Sequence, residues 1–259
     1  MSKEVATQTN LQALSGFLKS DKITAEIQKV LGRKPDSFVT SALTAIGSNE
    51  LLKDADKTTV YTALMTAASM SLPINPNLGF AYLVPFKNNK KGVTECQFQM
   101  GYKGYIQLAQ RSGQFRSIGA CPIFEGQLVE NNPLYGFKFD FSVPAKGKAI
   151  GYAAHFELLN GFSKTFYMSL KELEAHAKKF SQTYKRGFGL WKDDFDSMAI
   201  KTVIKLLISK YAPLSTEMQR AVLSDSAVVN DAETIDVDYV QSDFKHRPNP
   251  GSAGAGAVN

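Results

Sequence analysis

The hydrophobic period of this chain changes twice, and that restricts it to one class of fold. Up to about residue 70 the apolar residues recur at helical spacing. Ile23, Ile27, Val30 and Leu31 form one stripe, and Phe38, Ala42, Leu43 and Ile46 another. Val60, Leu64 and Ala67/Ala68 line a third helix expected over 58–70, with Thr58 or Thr59 as its cap. Pro73 and Pro76 close this region. From Gly79 the period becomes two: Phe80, Tyr82, Val84 and Phe86 alternate with Ala81, Leu83 and Pro85. The polar run 87–92 is a turn, and 94–100 its return strand, with Cys96, Phe98 and Met100 on one face and Glu95, Gln97 and Gln99 on the other.

A helix is expected over 102–112, then strands over 115–124, 136–142 and 150–158. Asn160-Gly161 turns the last of these into a strand over 163–168. Ser169 and Glu172 have the spacing of a capping box, which returns the chain to helix. A long helix follows over 192–211 and a shorter one over 215–223. Helices, a central antiparallel sheet, then helices make an α+β fold. The expected division is a flexible N-terminal segment (1–20), one folded body (21–225) and an acidic, mostly disordered tail (226–259) ending in the Gly-Ala-rich run 251–257.

Charge narrows the function. The net charge is +6, but from Ser224 onward six acids (Asp225, Asp231, Glu233, Asp236, Asp238, Asp243) face only Lys245 and Arg247. That end therefore carries −4, and residues 1–223 carry +10. A basic body with an acidic end fits a polyanion binder, although such tails also serve solubility alone. No apolar run reaches the roughly 18–20 residues that span a bilayer. The first ten residues lack the pattern of a secretory signal. Two cysteines, Cys96 and Cys121, make no disulfide framework, so the cytoplasm is the expected compartment.

Between Lys178 and Lys192 lie five basic residues, four aromatics and no acid. Lys178, Lys179, Lys185, Arg186 and Lys192 can neutralise phosphates, while Phe180, Tyr184, Phe188 and Trp191 offer faces on which unpaired bases stack. Gly187 and Gly189 break any helix here, which suggests a mobile loop. A solvated basic loop anchored by its aromatics reads equally well. On the helix after Gly101, Lys103, Gln107, Gln110 and Arg111 share one face, opposite Tyr105, Leu108 and Ala109, and Arg116 follows. The same arrangement recurs on the long C-terminal helix. There Lys201 and Lys205 stand beside an expected buried stripe of Phe195, Met198, Thr202 and Leu206.

Asp193, Asp194 and Asp196 at the start of that helix could hold a divalent cation in a nuclease, but a helix N-terminus favours acids anyway. No nucleotide-binding Gly-rich loop is present, and His155, His176 and His246 lie far apart. His176 falls at a core edge by its helical spacing.

Three stretches carry a resemblance. They are Leu72-Pro73-Ile74-Asn75-Pro76-Asn77-Leu78-Gly79-Phe80-Ala81-Tyr82-Leu83-Val84-Pro85-Phe86, the run from Gln97 through Gly101-Tyr102-Lys103-Gly104-Tyr105 to Gln114, and the run from Trp191-Lys192-Asp193-Asp194-Phe195 to Lys205. Together they resemble the RecT family of phage single-strand annealing proteins, of the Gram-positive prophage type, over about residues 20–225. The resemblance implies a twisted sheet flanked by helices, and ATP-independent annealing of complementary single strands. It also implies rings or helical filaments holding DNA in a basic groove, a 5′→3′ exonuclease partner, and contact with the host single-strand-binding protein.

On this reading Lys103, Gln107, Arg111 and Arg116 would contact the DNA backbone on the groove floor, and Gln97 and Gln99 would make polar contacts. Lys178, Lys179, Lys185, Arg186 and Lys192 would form a rim, Tyr184 or Trp191 would stack or close the loop, and Lys201 and Lys205 would line a second wall. No cofactor is required, and Mg²⁺ would assist pairing only by screening charge. A passive single-strand coat shares the same basic and aromatic features.

Overall fold

A computed structural model of the chain describes residues 2–132 and 134–226. Five helices come first: α1 (Ser2–Leu18), α2 (Asp21–Leu31), α3 (Asp36–Gly47), α4 (Glu50–Lys53) and α5 (Lys57–Ser69). The hairpin β1 (Ala81–Asn88) and β2 (Val93–Met100) leads into α6 (Tyr102–Arg111). Then follow β3 (Phe115–Ile123), β4 (Leu128–Asn132), β5 (Gly136–Phe139), β6 (Gly151–Leu158) and β7 (Ser163–Ser169). The rest is helical: α7 (Leu170–Phe180), α8 (Gln182–Lys185), α9 (Leu190–Asp193), α10 (Phe195–Tyr211) and α11 (Thr216–Ser226).

The α+β class is as expected, and the strands divide among three antiparallel sheets. β1 pairs β2, β6 lies between β3 and β7, and β4 pairs β5. Two large cores result. The N-terminal core gathers Leu14, Leu18, Ile27, Phe38, Ile46 and Leu64 from the helices, with Leu83 and Cys96 from the hairpin. The second packs α6, α7, α10 and α11 around Tyr152, Phe156 and Leu158 of β6, and takes Ala81 and Met100 from the other end of the hairpin. The β1–β2 hairpin therefore joins both cores. Its period-two pattern works because Ala81 and Leu83 face inward while Tyr82 and Val84 stay half-exposed.

Several local expectations change. Residues 1–20, read as a flexible lead, hold α1, whose Leu14 and Leu18 are buried. Val30 leaves the α2 stripe and is exposed. α5 is capped by Asp56, whose carboxylate accepts the Thr59 N–H at 3.0 Å. The Thr59 hydroxyl is taken instead by β2, accepting the Cys96 N–H at 2.9 Å. The capping box at Ser169 and Glu172 is formed as read. The long helix expected from 192 is divided: Asp194 separates α9 from α10 and caps α10 by accepting the Ser197 N–H at 3.2 Å. Of the expected tail, residues 227–259 lie outside the described residues, and Asp225, counted only in the charge of that end, belongs to α11.

Candidate nucleic-acid interface

The three stretches that carried the resemblance meet in space. Gly101 and Gly104 open α6 against the segment before β1, where a Cβ at Gly101 would run into the Gly79 carbonyl and one at Gly104 into the Phe80 carbonyl. The Lys103 stem and the Tyr82 hydroxyl both lie over Gly79. Burial raises the Tyr82 pKa, and the nearby Tyr102 phenol and Asp194 carboxylate raise it further. Residues from the first stretch, the start of α6 and the α9–α10 junction thus form one surface. Lys103 is exposed on it, and Gln97, Gln99 and Gln107 are half-buried. The opposite face of α6 is core, with Tyr105, Leu108 and Ala109 buried.

The other cations read for this floor and the second wall are engaged by acids. The Arg111 guanidinium donates to the Met70 carbonyl at 2.8 Å and to Glu217 of α11 at 3.0 Å. Arg116 donates to Glu157 of β6 at 2.7 Å. Lys201 and Lys205 grip the two oxygens of Asp225 at 2.7 and 3.1 Å, and the Met100 N–H donates to the same carboxylate at 3.3 Å. The Asp225 side chain is only 5% exposed. Burial alone would raise its pKa; the two lysines overcome this and hold the carboxyl below its ordinary value. The α10 stripe also differs from expectation. It runs through Ala199, Thr202, Val203, Ile204, Leu207 and Ile208, because α10 packs against both the β3–β6–β7 sheet and α6.

The stretch 178–192 is more ordered than a single loop. It comprises the last turn of α7, the short helices α8 and α9, and a turn in which Gly187 and Gly189 take positive φ (85° and 93°). Lys178, Lys179, Lys185, Arg186 and Lys192 are all exposed. The aromatics divide. Trp191 is 6% exposed and packs edge-on against Phe195 and Tyr184 at 5.4 and 6.4 Å, so it anchors the segment and offers no stacking face. Tyr184 is half-buried beneath the Lys192 ammonium, 4.8 Å from its ring centre. Phe188, by contrast, is 54% exposed. Sequence reasoning named Phe188 as part of the stretch but chose Tyr184 and Trp191. Its place between two glycines denies it a helical neighbour to pack on.

His176 sits at the core edge as read, against Phe180 and Trp191. Burial, with Lys205 and Lys179 adding repulsion, lowers its pKa to about 4. Two of the acids at the start of α10 serve structure. Asp194 is the cap, and Asp196 accepts a hydrogen bond from the Tyr152 hydroxyl. Burial and that bond raise the tyrosine pKa.

The amino-acid sequence that builds this surface matches a known family. The model of the RecT family covers residues 36–240. The chain belongs to the RecT family. It is 40% identical to YqaK of Bacillus subtilis (strain 168) over 257 residues, covering 95% of this chain and 87% of that protein. It is 31% identical to protein RecT of Escherichia coli (strain K12) over 223 residues, covering 81% and 78%. Membership gives the chain the role of a single-strand DNA annealing protein in recombination, which is not an enzymatic one. Among the described residues, no helix is long and apolar enough to cross a membrane.

Proposed function

We propose that this chain binds single-stranded DNA through its exposed 178–192 surface and anneals complementary strands without ATP. The supporting observation is five exposed cations and the exposed Phe188 ring within one 15-residue stretch, in a chain of this family. Cations on flexible stems hold phosphates of any sequence, and a single exposed ring stacks on any base. Lys103 extends this surface toward the hairpin, where Gln97, Gln99 and Gln107 make polar contacts with the strand. Watson–Crick edges are left free, so a second strand can test its pairing. A correct match adds stacking and is retained; a mismatch dissociates. Duplex formation is downhill, so no nucleotide hydrolysis is required.

One protomer covers few nucleotides and binds weakly. Side-by-side copies in a ring or helical filament convert many weak contacts into tight binding along a continuous groove. Mg²⁺ enters only as a screen between the two strands. The protein works in the bacterial cytoplasm, beside a 5′→3′ exonuclease that exposes single strands and the host protein that coats them.

The test mixes two labelled complementary oligonucleotides of about 80 nucleotides, long enough for several protomers, without ATP, and follows pairing by energy transfer. Acceleration over the protein-free rate is expected. Tight binding with slowed pairing would make the protein a passive coat.

A further inference from the structure

Three of the cations read as DNA contacts are neutralised by a single helix. Glu217 and Asp225 of α11 lie eight residues apart on one face, with the buried Ala221 between them. At 1.5 Å per residue their backbones are about 12 Å apart. They engage Arg111 at one end and Lys201 with Lys205 at the other, and Asp225 also takes the Met100 N–H. Two ammonium groups, a guanidinium and a backbone N–H are the donors that phosphates recruit. The Tyr105 hydroxyl is fully buried beside the Asp225 carboxylate, and burial together with that charge raises its pKa well above the ordinary value.

We propose that α11 is a strand mimic: its two carboxylates occupy phosphate positions in the DNA site, and it withdraws when a single strand enters. The inference rests on the single-strand reading above and adds its regulation. In the state described here the Arg111, Lys201 and Lys205 positions are closed, and only the 178–192 surface and Lys103 are open to a strand. A strand that docks there and displaces α11 acquires the closed positions as well.

The helix is built to leave. Met218 and Ala221 are its only fully buried apolar side chains among the described residues, with Val222 packed partly buried against the same core. Both walls stand without it, since α6 and α10 are held by the β3–β6–β7 sheet.

A reducible tether tests this directly. The Arg220 side chain reaches the Ser69 carbonyl at 3.5 Å, so a cleavable bismaleimide joining Ser69→Cys to Arg220→Cys would hold α11 in place. Cys121→Ser removes the accessible native thiol, while Cys96 is buried with its pKa pushed up to about 12. Binding to a mixed-sequence oligonucleotide of about 40 nucleotides is measured before and after cleavage. Closing three phosphate contacts should cost at least about tenfold in affinity near 0.1 M salt and flatten the log–log salt slope by about 2. Cleavage should restore both. Equal affinity and slope in the two states would overturn the mimic while leaving single-strand binding intact. No binding in either state would overturn both readings.

Hydrogen exchange on the untethered native chain gives an independent check. The 216–226 amides should exchange faster when the oligonucleotide is bound, and unchanged or slower exchange would contradict withdrawal.

Discussion

The two basic regions of this molecule use the same residue types and hold them in opposite states. In 178–192, Lys178, Lys179, Lys185, Arg186 and Lys192 are exposed, and none forms an ion pair among the described residues. On α6, β3 and α10, Arg111, Arg116, Lys201 and Lys205 each hold an acid brought from elsewhere in the chain. Exposed cations cost little to keep, since water and counterions solvate them. Lys201 and Lys205, less than one-fifth exposed, are tolerable only with a partner, and a carboxylate buried with them is what makes that site stable. A count of charges along a sequence cannot separate these cases.

The largest effect should come from breaking the buried set. Asp225→Ala leaves two lysines confined without a counter-charge, and should lower stability by about 3–5 kcal/mol in urea unfolding. A loss below about 1 kcal/mol would mean the lysines simply swing into solvent. Trp191→Ala should cost a similar amount, about 3–5 kcal/mol, because it empties a core position.

Next comes pH, read at His176, which lies between Lys179 of one region and Lys205 of the other. Its folded pKa of about 4 is below the ordinary 6.5, so the unfolded chain binds the proton more readily. Its contribution is complete above about pH 6.5 and is lost as pH falls toward 4, a change of up to about 3 kcal/mol. Asp225, with its lowered pKa, adds a loss at still lower pH. Thermal unfolding of His176→Gln across this range should show a flatter profile than the native chain.

Smaller still is Phe188→Ala. It should leave stability within about 0.5 kcal/mol and weaken single-strand binding by about 1–3 kcal/mol if the ring stacks on a base. Smallest is Arg116→Ala. Its partner Glu157 is one-third exposed and the arginine more than half, so stability should change by less than about 1 kcal/mol.

Much of the fold was legible because it is local. The switch from helical spacing to alternation located the β1–β2 hairpin, Asn160-Gly161 the turn into β7, and Ser169 with Glu172 the start of α7. The inner face of α5 was also correct, though its cap was misplaced because the Thr59 hydroxyl serves β2 instead. What stayed hidden depends on distance along the chain. Arg111 meets Glu217 across 106 residues and Arg116 meets Glu157 across 41, and no window of sequence contains both partners. Asp225 was counted in the charge of the acidic end because five more acids follow it from Asp231 onward; the lysines that bury it lie on another helix. Trp191 illustrates the same limit: an aromatic among basic residues suggests stacking, and only tertiary packing shows it facing inward. The family resemblance identified the activity class, while the state of each cation had to come from the structure.

The contrast between open and closed cations is tested most directly by the salt dependence of single-strand affinity. The native chain is compared with a variant carrying Lys178→Gln, Lys179→Gln, Lys185→Gln and Arg186→Gln. If these four residues hold phosphates, the log–log slope should flatten by about 3, at roughly 0.7 per contact, with affinity falling at every salt concentration. An unchanged slope and affinity would contradict the assignment and place the strand elsewhere on the molecule.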